Sequence, residues 1–295
     1  MGFVDGRVVL VTGASSGIGL ETSRELARRG AQVVMAARTR DRAEQALAEV
    51  SRVARTVGSP APDLLLADLT DPTATAFLIQ RVRSRYRRLH VLINNAGGFF
   101  AKRMVTAEGF EYTYALNVVA PIRLTLGLLG RLKKSRPARI INVASQAHAA
   151  GALDLDDLQM ERGRYRGFVQ YARSKTALIL WTRTLADDLR TSGVTVNAVH
   201  PGWIKTGMGA SNPPTATAAV FRFVTALLAR PQIVGARGPS YLADDEQLAQ
   251  TTGEYFFVTH RRPPAAHARD PEIAGRMLEL GRSYDVRAAD EREKK

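Results

Sequence analysis

Short apolar, β-branched runs alternate with longer stretches whose apolar positions recur every three or four residues through the first two-thirds of the chain. RVVLVTG, QVVMAAR, DLLLADL, HVLINNA, ARIINVAS and VTVNAVHPG are near-continuous apolar runs of strand length, the pattern of strands covered on both faces. Between them GIGLETSRELARRG, RDRAEQALAEVSRVART, TATAFLIQRVRSRY, EGFEYTYALNVVAPIRLTLGLLGRL and KTALILWTRTLADDLRTSG carry helical spacing. Strands alternating with helices predict an α/β fold: a doubly wound parallel sheet of about seven strands, with helices on both faces and right-handed crossovers.

The pattern loosens after Pro201. WIKTGMGASNPPTATAA is rich in Gly, Pro, Ser and Thr, and AAVFRFVTALLAR reads as a short apolar helix. A helix near Ser240 to Gln250, a strand at YFFV and a charged helical tail complete the chain. No repeat and no linker divides it. The expectation is one domain over residues 1–295, with a substrate lid at about 203–237 and a charged tail at about 286–295.

RVVLV runs directly into TGASSGIG, Thr12 to Gly19, which opens a helix. Gly13, Gly17 and Gly19 allow a tight turn and close backbone approach to a pyrophosphate, while the helix N-terminus offers N–H donors and partial positive charge. This strand–turn–helix setting is the one a dinucleotide site requires, so the fold is read as Rossmann-like. Where such folds place an acidic residue for the ribose 2′-OH, this chain has Ala37 followed by Arg38, with Arg40 and Arg42 close behind. A guanidinium bonds a 2′-phosphate that a carboxylate would repel, which predicts NADP(H) preferred over NAD(H).

Tyr171 and Lys175, in VQYARSK, stand four residues apart and share one helix face. Together with TGASSGIG and with NNAG at Asn94 to Gly97, YARSK gives a chain that resembles the short-chain dehydrogenase/reductase family from about residue 5 to 285. LDLDDL, LWTRTLADDL, HPGW, GEYFF and RDPEIAGRMLELG are similar to its retinol-dehydrogenase-like branch, whose members act on retinoids, steroids or other lipophilic carbonyl compounds. The resemblance implies a catalytic set of Asn117, Ser145, Tyr171 and Lys175, with Ala144 where the family commonly has another serine. It implies cofactor contacts from Gly13, Ser15, Ser16, Gly17, Ile18, Gly19, Asp68, Leu69, Asn95, Ala96 and Gly97, and from Tyr171 and Lys175. Pro201, Gly202, Ile204 and Thr206 would hold the carboxamide, and Trp203 joins Ser145 and Tyr171 on the substrate side.

The chemistry agrees with those assignments. A free tyrosine titrates near about 10 and is a poor base at neutral pH. Lys175, with the positive ring of the oxidised cofactor, is expected to favour the tyrosinate and bring Tyr171 towards the operating pH by about 3 units. Ser145 would stabilise charge on the carbonyl oxygen, and Asn117 would position a proton-relaying water. His148 and His200 read as structural or loop residues rather than catalysts.

Composition narrows the alternatives. With no cysteine, the chain has no disulfide, thiolate zinc site or cysteine nucleophile. His, Asp and Glu show no metal-ligand spacing, so no metal is expected. No run of about 18 apolar residues is evident, and the first ten residues do not read as a signal peptide, which predicts a cytoplasmic protein. The formal charge of +14 favours acidic contacts, and RVRSRYRRLH is its densest run. Aromatics are not interleaved among the cations, so nucleic acid is not an expected partner, whereas weak association with an anionic membrane surface is compatible. LILWTRTL offers apolar surface for a homodimer, and packing into the core accounts for the same residues. Phe221, Phe223, Val224, Leu227 and Leu228 give the lid an apolar character that fits a small lipophilic substrate. The competing readings are a ketoreductase of secondary metabolism and a non-catalytic NADP(H)-sensing protein.

Overall fold

The computed structural model describes residues 2–202 and 232–284; Trp203, Ile204 and Thr206, most of the expected lid with its phenylalanines, and the charged tail lie outside the described residues. Among the described residues, eight strands form one sheet in the order β3-β2-β1-β4-β5-β6-β7-β8. They are β1 (Val8–Thr12), β2 (Gln32–Ala37), β3 (Asp63–Leu66), β4 (Val91–Asn94), β5 (Ala138–Val143), β6 (Val194–His200), β7 (Tyr255–Phe257) and β8 (His260–Arg261). The first seven pair in parallel, and all seven apolar runs of the sequence fall on them. β8 pairs antiparallel to β7. Two exposed polar residues leave no hydrophobic signature, so the sequence did not announce this strand.

The helices are α1 (Gly17–Arg28), α2 (Arg40–Val57), α3 (Pro72–Arg85), α4 (Tyr112–Lys134), α5 (Gly167–Asp188), α6 (Gln232–Asp244) and α7 (Pro271–Ser283). Strand residues alternate between two cores, as the period of two requires. Leu10, Leu92 and Ile140 pack with Leu78 of α3, Leu128 of α4, Trp181 of α5 and Met277 of α7. Val11, Ile93 and Ile141 face the other way, against Leu26 of α1, Val50 of α2 and Leu242 of α6.

Tertiary packing corrects four expectations. α6 starts at Gln232 and ends at Asp244, so the helix expected near Ser240 to Gln250 begins earlier and takes in the last residues assigned to the lid. α5 begins at Gly167, earlier than the helical run read from Lys175, and carries both Tyr171 and Lys175. α4 has mean hydropathy 1.3 over its best window, enough to span a membrane by length and composition, yet 72% of that window is buried in the fold. It is a core helix whose apolarity reflects cover from several sides. LILWTRTL, read as dimer surface, is also interior: Leu178, Ile179, Leu180 and Trp181 are buried. A Cβ on Gly281 would sit 2.9 Å from Trp181 Nε1, so α7 lies close over this helix.

Candidate active site

β1 ends at Thr12, and its hydroxyl joins the phosphate loop to the NNAG segment. Thr12 Oγ1 donates to Ile93 O (3.3 Å) and accepts from the backbone N–H of Asn95 (3.0 Å) and Ala96 (2.9 Å). Asn95 Nδ2 returns a bond to Thr12 O at 2.8 Å. Gly19 packs so tightly here that a Cβ would overlap the Gly13 carbonyl and lie 2.5 Å from Asn95 Nδ2. Gly17 has φ 58°, and a Cβ there would meet nothing within 4 Å. The side chain of Ser16, which precedes α1, makes no capping bond, so it leaves the first-turn N–H groups to a ligand. An open glycine turn beneath uncapped amides fits a pyrophosphate. Ser15 and Ile18 lie half-buried in the same turn.

Arg38 stands exposed at the end of β2 and has no salt bridge among the described residues, whereas Arg40 is paired with Glu44 at 3.1 Å. Asp68 follows β3, its Oδ1 accepting from Thr70 N (3.0 Å) and Thr70 Oγ1 (2.7 Å). Leu69 packs on the core beside it. Pro201 is buried just past β6, and Gly202 has φ 92°.

The expected catalytic residues converge from three elements. Tyr171 and Lys175 lie on α5, and Ser145 follows β5 at the start of a 3-10 turn, Gln146–Ala150. Asn117 occupies a π turn, Ala115–Val119, inside α4. Pro121 explains that turn: it has no N–H for the Asn117 carbonyl, and its ring would crowd a regular turn. Asn117 Oδ1 accepts from Gly98 N (2.8 Å), while Nδ2 donates to Gly98 O (3.0 Å) and to Ser174 Oγ (2.9 Å). Ser174 in turn donates to Tyr171 O at 2.7 Å. Lys175 Nζ donates to Val143 O at 2.9 Å and lies 5.8 Å from the centre of the Tyr171 ring. Gly97 is closely packed: a Cβ would sit 3.0 Å from Asn117 Oδ1 and 3.3 Å from Lys175 Nζ, so one of these side chains would have to give way.

Burial pushes the Tyr171 phenol up, and a hydrogen bond with Ser145 opposes this only in part. Burial also lowers Lys175 to about 8. The expected tyrosinate rests on the positive ring of the oxidised cofactor as well as on Lys175, and burial is the contribution the two together have to outweigh.

Sequence reasoning missed several supports of this site. Phe99 presents an edge-on ring to Tyr171, with centroids 6.2 Å apart. Glu111 is fully buried ahead of α4 and holds Tyr165 and Gln170. Neither residue carries a motif, although a lone acid before an apolar helix is a capping signal.

A glycine cradle at the C-terminal edge of a doubly wound sheet, beside a Ser–Tyr–Lys–Asn cluster, defines the class as an oxidoreductase that uses a nicotinamide cofactor. The chain belongs to the short-chain dehydrogenase family, whose model matches residues 7–217, and to its retinol-dehydrogenase-like branch. It is 36% identical to human retinol dehydrogenase 13 over 277 residues, covering 93% of this chain and 83% of that protein. Human retinol dehydrogenase 14 is 35% identical over 290 residues, covering 95% and 86%. A short-chain dehydrogenase from Burkholderia cenocepacia, solved in complex with NADP, superposes with a TM-score of 0.67 at 29% identity, covering 90% of this chain and 99% of that one. The protein is thus an oxidoreductase acting on CH–OH groups.

Proposed function

We propose that this chain interconverts a lipophilic carbonyl compound and its alcohol with NADP(H), Tyr171 acting as general acid and base. The observation that carries the reading is the convergence of Tyr171, Ser145, Lys175 and Asn117 beside an open phosphate cradle. The cofactor, when bound, supplies or accepts the hydride. Tyr171 gives its phenolic proton to the carbonyl oxygen in reduction and recovers it in oxidation. A raised phenol suits the first role, because the group enters reduction protonated. Ser145 donates to the same oxygen and stabilises its developing charge. Lys175, tied to Val143 O, holds the ribose hydroxyls, and Asn117 sets the proton path behind it.

Exposed Arg38, following Ala37, supports NADP(H) over NAD(H). The retinol dehydrogenases among its relatives support a retinoid-, steroid- or similarly apolar substrate. We place the protein in the cytoplasm as one domain over residues 1–295, with residues about 203–237 as the substrate lid. Titrating NADPH and NADH into wild type, Arg38→Ala and Tyr171→Phe tests the reading. Arg38→Ala should weaken NADPH binding by roughly tenfold or more, the worth of a charge-assisted bond, and leave NADH unchanged. Tyr171→Phe should bind NADPH normally and lose about 10²–10⁴-fold in turnover of retinal or an apolar ketone. Unchanged turnover in Tyr171→Phe would sink the mechanism.

A further inference from the structure

We propose that His148 is a positioning residue for Ser145, a brace through which the segment after β8 sets the catalytic hydroxyl; this rests on the function proposed above. His148 is 1% exposed, and both its ring nitrogens are engaged by backbone. Nδ1 lies 2.8 Å from Ser145 O, and since a carbonyl only accepts, Nδ1 carries the proton. Nε2 accepts from Ala265 N–H at 3.1 Å. The two bonds together select one neutral tautomer.

The backbone of His148 is held as firmly. Its N–H donates to Ser145 O at 3.2 Å. Its carbonyl accepts from Thr176 Oγ1 (3.1 Å), next to Lys175 on α5, and from His267 Nε2 (2.8 Å). The ring packs edge-on against Tyr255 of β7, with centroids 4.9 Å apart. Three residues beyond His148, a Cβ on Gly151 would overlap the backbone of Ala172, so the far end of the turn lies hard against α5. The turn is therefore clamped between the Tyr–Lys helix and a segment more than a hundred residues away in sequence. Ser145 is only half-buried; its side chain accepts from Ala147 N at 3.2 Å and shares a hydrogen bond with Tyr171, and His148 holds its backbone carbonyl. Burial lowers the His148 pKa, which keeps the accepting nitrogen free of a second proton at neutral pH.

Displacing a catalytic group by about 1 Å costs up to 10²-fold in rate without touching binding. The test compares His148→Phe, His148→Asn and His148→Gln for kcat, KM and NADPH affinity, with Tyr171→Phe as reference. Phenylalanine keeps the packing on Tyr255 and removes both bonds; asparagine can still donate to Ser145 O from the Nδ1 position, and glutamine reaches only the Ala265 side. The expected result is a kcat loss of about ten- to a hundredfold in His148→Phe, with KM and NADPH affinity within about twofold. His148→Asn should recover most of that loss, and His148→Gln little of it. Ala265→Pro gives a second approach, because Ala265 has φ −52° and accepts proline while losing its N–H. It should lower kcat in the same sense. If His148→Phe does not fold, the order Asn above Gln decides. Full kcat in His148→Phe, or Gln equal to Asn, would overturn the brace while leaving the enzyme intact. Normal turnover in Tyr171→Phe would instead overturn the underlying mechanism.

Discussion

Glu111 offers a demanding test of how the site is built. Its carboxylate is fully buried and accepts four hydrogen bonds: Thr113 N (2.8 Å) and Tyr165 OH (3.0 Å) on Oε1, Tyr114 N (2.9 Å) and Gln170 Nε2 (3.0 Å) on Oε2. Glu111→Gln keeps the shape and replaces one oxygen by an NH₂ donor. Turned towards Oε1's partners, that amide meets Tyr165, whose hydroxyl can rotate and accept, and Thr113 N–H, which cannot. Turned the other way it meets Tyr114 N–H, equally fixed. One buried backbone N–H therefore loses its acceptor in either rotamer, at about 1–3 kcal/mol. The surviving bonds fall from charge-assisted to neutral strength, roughly half. The sum is about 3 kcal/mol, a large share of a typical stability. For a chain of 295 residues this lowers Tm by about 5 °C. Urea denaturation of wild type and variant measures it. The effect should also reach turnover, because Gln170 directly precedes Tyr171 and is held by this carboxylate. A stability change below about 0.5 kcal/mol would refute the reasoning, since it would mean these donors find other acceptors.

Gly19→Ala should abolish NADPH binding and lower stability by about 1–3 kcal/mol, because its Cβ overlaps the Gly13 carbonyl and Asn95; fluorescence titration and thermal melting check both. Stability should also fall in acid. His200 is buried, and desolvation lowers its pKa from 6.5 to about 4. Between those values the unfolded chain binds the proton that the folded chain refuses, so this contribution is complete above pH 6.5 and is lost as pH falls towards 4. A shift of that size corresponds to about 3 kcal/mol. Melting curves from pH 7 to 4.5 should show a shallower acid limb in His200→Phe than in wild type, and identical slopes would exclude the assignment.

Much of this architecture was legible in the chain. Buried parallel strands must be apolar on both faces, so β1 to β7 declared themselves, while β8, exposed and polar, could not. Glycine motifs survive translation into structure because backbone geometry imposes them. Gly19 sits where no Cβ fits, and its place in the glycine triplet already implied close approach.

What the sequence determined by itself was therefore the doubly wound sheet, the glycine turn after β1 and the placing of Tyr171 and Lys175 on one helix, because each follows from local periodicity or local backbone geometry. Only the tertiary structure decided the rest. Burial pushes the Tyr171 phenol up, an effect no local motif records, since desolvation depends on everything packed around a group rather than on its nearest neighbour in sequence. Cover by α7 turned the apolar stripe of α5 from a candidate interface into core. His148 met Ala265, and Glu111 met Gln170, across long separations that no periodicity records. Hydrogen bonds between distant segments depend on where the fold brings the chain together, and a linear pattern carries no trace of that distance.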